Sequence, residues 1–249
     1  MCGIEAVFCN TIPKDLKKII AGGRYLKTRG PDSSLTIVRK DGIFIFRRLS
    51  ILDNSSDGTQ PMISNKGVIM MCNGEIYNYK ELISRYNLKC NSKSDCEVIL
   101  RLYEKIGDFT ETVKQLDGVY AIVLVDGPDM YLARDRIGVR PLYMGLTQER
   151  FIAIASHPYC LVSYCTDISP ITPGQVLQCS KRLGKFDELK LLHHDKLYIP
   201  RVKLENEVKI LHDTLYKAVE YYVNCWVVQM FVLILLVWLG QLIYIILEK

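Results

Sequence analysis

The residues best placed to do chemistry in this 249-residue chain start at position 2. Loss of Met1 would leave Cys2 carrying a thiol and a free α-amino group on one residue. Such an amine ordinarily titrates at about pH 7.7–8, so near neutral pH it can act as the base for its own thiol. Gly3 lets a substrate or backbone approach closely. Amide hydrolysis through a thioester also needs donors for a tetrahedral oxyanion, and a backbone N–H with an Asn amide supplies them. Asn73-Gly74 follows the apolar run 68–72, at its end, where such donors can be aimed. A planar, permanently charged Arg suits an α-carboxylate, and an Asp suits an α-ammonium. Arg48, at a strand end, and Asp95, at a helix start, are candidates for those tasks. Spacing alone leaves each a plain alternative: an ordinary Cys, a hairpin turn, a surface ion pair and an N-cap.

The elements that must position these residues are mostly short and β-rich. Residues 4–8, 35–39, 43–47, 68–72, 120–125, 130–133 and 150–155 read as strands. Asp41-Gly42 and Asp126-Gly127-Pro128-Asp129 are turn signals between neighbouring runs. Residues 14–26 read as a helix with Leu16, Ile19 and Ile20 apolar and basic residues opposite. Residues 95–106 read as another, following a Ser-Asp cap, with Val98, Ile99, Leu102 and Ile106 on one stripe. Many strands with few helices, out of strict βαβ alternation, predict an α+β sandwich. Past about residue 187 the strand signals fade, and 204–222 has helical spacing.

Composition excludes several classes. The hydrophobic fraction is 49% and the charged fraction 24%, ordinary for a globular protein. The net charge of +5 is spread over residues 1–220 without a basic run or an aromatic-interleaved Arg cluster, so no nucleic-acid partner is expected. Nine Cys with no C-x-x-C pair, and no signal peptide, point to free thiols in a reducing compartment and a cytoplasmic location. The four His share no zinc-like spacing with Cys or acids, so no metal is expected.

The motifs, taken in order, are specific enough to carry a resemblance. They are Met1-Cys2-Gly3-Ile4, Arg29-Gly30-Pro31-Asp32, Arg48-Leu49-Ser50-Ile51-Leu52-Asp53, Gly58-Thr59-Gln60-Pro61-Met62 and Asn73-Gly74-Glu75-Ile76-Tyr77-Asn78-Tyr79. Ser94-Asp95-Cys96-Glu97-Val98-Ile99-Leu100, Leu116-Asp117-Gly118 and the run Arg134-Asp135-Arg136-Ile137-Gly138-Val139-Arg140-Pro141-Leu142-Tyr143 follow. The chain resembles the glutaminase domain of class II, N-terminal-nucleophile glutamine amidotransferases, and within them the glutamine-hydrolysing asparagine synthetase branch. The resemblance implies a four-layer αββα sandwich of Ntn-hydrolase type with a short helical C-terminal extension. It implies Cys2 as nucleophile attacking the glutamine amide, releasing ammonia and then glutamate. Asn73 and Gly74 would form the oxyanion hole. Arg48, Leu49, Ser50, Ile51, Leu52, Asn73, Gly74, Glu75 and Asp95 would line the glutamine pocket. Arg29-Gly30-Pro31-Asp32 and 134–141 would support that pocket without touching the reacting atoms.

The chain departs from the family pattern at Thr28, at Phe46-Arg47, and at Ser156-His157-Pro158, where Pro158 is expected to break a helical turn. None of these removes a proposed catalytic group; the last puts in doubt the surface that meets the synthetase domain. The Ser-Gly-Gly-Leu-Asp-Ser-Ser motif of the ATP-using synthetase domain is absent, and 221–247 is a charge-free run of 27 residues in its place. The expected organisation is an amidotransferase domain over 1–186, a linker and the start of a truncated synthetase domain over 187–222, and an apolar tail over 223–249. The tail has two readings. It is long enough for a transmembrane anchor. It also reads as a frameshifted remnant, because back-translated 237–243 read one nucleotide later permits Ser-Gly-Leu-Asp-Ser-Ser. The frameshift is preferred, because the preceding helix still fits the family. The part present needs no cofactor, ATP and Mg belonging to the missing domain. Its expected partners are glutamine and either a separate synthetase domain or a second copy, with a membrane only if the tail is an anchor. The alternatives to an active glutaminase half are a non-productive remnant and a separate ammonia-supplying subunit.

Overall fold

Alternation along the first strand sets the layering of the molecule. In the computed structural model, which describes residues 2–39, 42–50, 53, 55–182, 185–186, 189–196 and 207–223, β1 (Gly3–Phe8) is buried along its whole length. Ile4, Ala6 and Phe8 point into one apolar core and Val7 into another, so both faces of the strand are covered. The chain continues through α1 (Leu16–Gly22), β2 (Ser33–Arg39), β3 (Gly42–Arg48), β4 (Met62–Ile63) and β5 (Ile69–Ile76). Three helices follow, α2 (Tyr79–Tyr86), α3 (Glu97–Ile106) and α4 (Phe109–Lys114). Then come β6 (Gly118–Asp126), β7 (Asp129–Arg134), β8 (Tyr143–Thr147), β9 (Ile152–Ala155) and β10 (Cys165–Pro170). The last elements are β11 (Gln175–Arg182), β12 (Lys185–Phe186), β13 (Lys190–His194) and α5 (Glu207–Val223).

The strands form two antiparallel sheets. One is ordered β10-β8-β9-β1-β3-β2 and the other β12-β11-β7-β6-β5-β4, with β13 added against β11. Ile4, Phe8, Phe44 and Phe46 of the first sheet share a core with Ile69, Met71, Val123 and Leu132 of the second. A second core lies between the outer face of the second sheet and α2–α4, where Leu82, Val98, Leu102 and Phe109 are buried. A third lies under α1, where Ile19, Leu26 and Tyr164 pack on Val7, Ile43 and Ile45. Two sheets face to face with helices outside each give the αββα order. Each fully buried aliphatic or aromatic side chain in these cores contributes about 1.5–3 kcal/mol.

The structure corrects several expectations. Asn73-Gly74 is not a turn after a strand. β5 runs on to Ile76, and Asn73 and Gly74 stand in register with Ala121 and Tyr120 of β6. The helix expected over 14–26 is α1 followed by a 3₁₀ turn, Gly23–Leu26, and Ile20 lies outward at 46% exposure. Asp95 precedes α3, whose N-cap is Cys96 with no side-chain capping bond. Strand structure continues past residue 187, because β13 pairs with β11. The chain divides into a unit Met1–Leu197 and a unit Tyr198–Lys249. In the second, α5 carries the expected spacing with Leu211, Leu215 and Val219 all exposed. The tail from residue 224 onward lies outside the described residues, among which no helix is long and apolar enough to cross a membrane.

Candidate active site

Cys2 sits just ahead of β1 and is half-buried against the core between the sheets. Its Sγ accepts the Leu49 N–H at 3.4 Å and lies 3.6 Å from the Leu49 carbonyl, so the residue after β3 grips the thiol from both sides. Arg29 Nε donates to the Cys2 carbonyl at 3.3 Å. Gly3 is flush with the 3₁₀ turn: a Cβ there would come 2.8 Å from Leu26 Cβ. Burial pushes the Cys2 thiol pKa up, and the Leu49 N–H only partly offsets this. A thiol held protonated by burial needs a base beside it before it can attack a carbonyl.

Asn73 belongs to the opposite sheet. Strand alternation puts it on the face of Ile69 and Met71, toward the interior layer into which Cys2 also packs. It is 1% exposed, and neither Oδ1 nor Nδ2 has a hydrogen-bond partner. A buried amide with both ends unmet costs about 1–3 kcal/mol, a cost that calls for an explanation, and a catalytic role is one. Gly74 cannot be another residue: a Cβ there would lie 2.5 Å from the Val119 carbonyl oxygen and 2.8 Å from Tyr120 Cα. The bare backbone is what lets β5 and β6 close at this point.

Arg48, at the end of β3, is buried and is no surface ion pair. Its Nη1 donates to Thr59 Oγ1 at 3.1 Å and to the Ser55 carbonyl, and its Nη2 donates to the Asp53 carbonyl. Gly58 makes room for the guanidinium, since a Cβ there would sit 2.5 Å from Nη2. Asp53 extends the tie, accepting from the Ser55 N–H at 2.7 Å and the Lys93 N–H at 2.8 Å, close before Asp95 in the chain. Asp95 is buried, and its Oδ2 accepts the Ile76 N–H at 2.7 Å, which fixes it at the end of β5 rather than on a helix cap. Burial raises its pKa to about 6.

The remaining predicted residues fall around these. Ser50 N–H donates to Asp32 Oδ2 at 2.7 Å, which joins the Arg-Gly-Pro-Asp segment to the residues after β3. Gly30 permits that approach, because a Cβ there would lie 2.2 Å from the Arg47 carbonyl. Glu75 pairs with Arg140 at 2.9 Å. Ile51 and Leu52 lie outside the described residues. In the 134–141 loop, the buried Asp135 carboxylate accepts the N–H groups of Ile137, Gly138, Val139 and Arg140. Gly138 has φ +77°, which favours glycine.

Two contacts had no sequence signal. The Arg29–Cys2 bond joins residues 27 apart. Ser156 brackets Ile4, its N–H donating to the Ile4 carbonyl at 2.8 Å and its Oγ accepting the Ile4 N–H at 3.1 Å. The expectation that Pro158 breaks a helical turn is overturned: Pro158 opens the 3₁₀ turn Pro158–Cys160, with His157 Nδ1 as its cap. At the first position of a turn the missing N–H has no partner to lose and the fixed φ suits the turn.

The described geometry has counterparts in known proteins. The glutamine amidotransferase domain family matches residues 1–182. Over 157 residues the chain is 40% identical to a probable glutamine-hydrolysing asparagine synthetase of Acanthamoeba polyphaga mimivirus, covering 60% of this chain and 28% of that protein. Over 194 residues it is 37% identical to asparagine synthetase 1 of Arabidopsis thaliana, covering 76% and 32%. The chain thus spans about a third of the length of these curated relatives. Among solved structures, glutamine phosphoribosylpyrophosphate amidotransferase from B. subtilis superposes with a TM-score of 0.64 at 19% identity, covering 83% of this chain and 52% of that one, a likeness of fold.

Proposed function

Because the chain belongs to the glutamine amidotransferase domain family, we propose that it hydrolyses glutamine to glutamate and ammonia through a thioester on Cys2. The observation that carries this reading is Asn73, buried with an unbonded amide in the layer where Cys2 packs. In the proposed reaction the α-amine freed by loss of Met1 takes the thiol proton, and Sγ attacks the glutamine Cδ. The oxyanion is held by the Asn73 amide and the Gly74 N–H. Collapse expels ammonia, which leaves with the proton from the amine. Water then attacks the thioester by the same route, releasing glutamate and restoring the thiol. Arg48 spends three of its five N–H donors on the 53–59 loop and keeps two for the substrate α-carboxylate. Leu49, Ser50 and Glu75 complete the pocket wall, as the family resemblance also implies for Ile51 and Leu52, and Asp95 takes the α-ammonium. By analogy with the curated relatives, the ammonia serves asparagine synthesis in a synthetase step outside residues 1–186, supplied by a further domain or a partner chain.

Asp95 gives a pH test. With its pKa raised to about 6, it is neutral below that pH and cannot balance an ammonium. KM for glutamine should therefore rise as the pH is lowered from 7 to 5. In an Asp95→Asn protein KM should be high throughout and lose that dependence. A KM for the wild-type chain that stays flat over this range removes Asp95 from the pocket.

The tail gives another test. The family match ends at residue 182 and the first compact unit at Leu197. A chain ended near Lys203 should release glutamate from glutamine at close to the full-length rate and be more soluble, since the charge-free run is gone. A well-folded but inert truncation beside an active full-length chain would make the tail part of the enzyme.

A further inference from the structure

Glu5 is an acid placed where no counter-charge meets it. Its side chain points to the outer face of β1, under α1, and is 0% exposed. Oε1 accepts the Tyr164 hydroxyl at 2.7 Å, the Cys160 thiol lies within hydrogen-bonding reach, and Oε2 has no partner. Gly22 and Gly23 close the pocket from α1 and the 3₁₀ turn after it; a Cβ at Gly22 would lie 3.2 Å from Oε1, and one at Gly23 3.7 Å from Oε2. The titratable groups facing Glu5 are Cys160 on the Pro158–Cys160 turn, Tyr164 after it and Cys165 on β10, with Asp15 ahead of α1 acting on Cys165. Burial and Glu5 itself push each of the two thiols and the phenol up, so they stay neutral, and neither kind of group carries a positive charge to offset the carboxylate. Among the described residues no Lys, Arg or His pairs with the carboxyl. Burial accordingly holds its pKa at about 8.

The position of Glu5 gives this acid a consequence for the site. The 156–164 loop is fastened at both ends to successive residues of β1. Ser156 brackets Ile4 and Tyr164 bonds Glu5, directly behind Cys2-Gly3. We propose that Glu5 is a positioning residue for Cys2, which in its uncharged form keeps the 156–164 loop clamped on β1 and on ionising releases it. The proposal rests on the reading of Cys2 as nucleophile. A carboxylate without a counter-ion is driven toward water, and the hydrogen bonds this loop offers the ionised form, from the Tyr164 hydroxyl and the Cys160 thiol, do not offset the burial.

The test compares full-length wild-type chain with Glu5→Gln, and with the apolar Glu5→Met of similar length, from pH 6 to 9.5. Turnover and the rate of Cys2 alkylation by iodoacetamide are both measured. Turnover should rise as the α-amine loses its proton near pH 7.7–8. In the wild type it should fall again above about pH 8, giving a bell, whereas both variants reach a plateau. At pH 9 the variants should keep at least about a threefold larger share of their maximal rate, and their alkylation profiles should separate from the wild type above pH 8. Stability carries the same sign. The folded pKa lies above the unfolded value of about 4.3, so Glu5 contributes stability that is full below that pH and lost as the pH rises through about 8. The Glu5→Gln protein should melt without that slope. Superimposable turnover and alkylation profiles overturn the proposal. No turnover in any of the three, with alkylation profiles that still separate, sinks the glutaminase reading and keeps the clamp.

Discussion

Replacing Cys2 by Ala or Ser should lower glutamine hydrolysis by at least about 10⁴-fold, because the step that splits the amide is lost with its nucleophile. The fold should survive. Cys2 lies ahead of β1, half-buried at the rim of the inter-sheet core, and its side chain is held by weak contacts between sulfur and the Leu49 backbone. Ala removes one small side chain, and Ser keeps an acceptor for the Leu49 N–H. Neither substitution disturbs the register of Gly3–Phe8 with β3. The check is glutamate release beside a thermal melt. A Cys2→Ala protein that keeps even a hundredth of the rate would show that another group carries the attack, since no nucleophile is left at position 2.

Asn73→Ala and Arg48→Ala should split kcat from KM in opposite ways. Loss of one oxyanion donor costs about 10²–10³ in kcat, and the ground-state amide gains little from that donor, so KM should move little. The Asn73→Ala protein should also melt no lower than wild type, because both amide atoms are buried without partners and their removal relieves an unmet cost. Arg48→Ala should instead raise KM by roughly ten- to a hundredfold, as expected for losing one side of a charge-assisted pair worth about 1.5–3 kcal/mol. It should lower stability too, because the bonds to Asp53, Ser55 and Thr59 go with the guanidinium. Steady-state kinetics decides between the roles. Exchanged phenotypes would keep the site and reverse the assignments.

The sequence made the long, strongly patterned elements legible. β1, β3, β6, β7 and α3 fall where alternation or helical spacing places them, because each buries a face wide enough to impose its period. The unread elements bury little or bury it irregularly. α2 has eight residues with only Leu82 buried, and β10 is an exposed edge strand ending in Pro170, so neither leaves a period. The sequence pattern cuts β5 short because Asn-Gly is a strong turn signal. Here the pairing with β6 overrides it, and the same strand continuity is what aims Asn73 inward. Residues with chemistry in their type, Cys2, Arg48, Asn73 and Asp95, can be picked out from the chain. The contacts that hold them are long-range and carry no local pattern: Leu49 on the thiol, Arg29 on the Cys2 carbonyl, Ser156 on Ile4 and Tyr164 on Glu5.

The most direct test is intact and peptide mass spectrometry of the purified chain, before and during turnover of glutamine. Cys2 should be the first residue of the mature chain, and rapid acid quenching should trap a γ-glutamyl group on its peptide and on no other. Glutamate released at full rate by a protein that retains Met1, or an acyl group found on any residue but Cys2, would contradict the Cys2 mechanism.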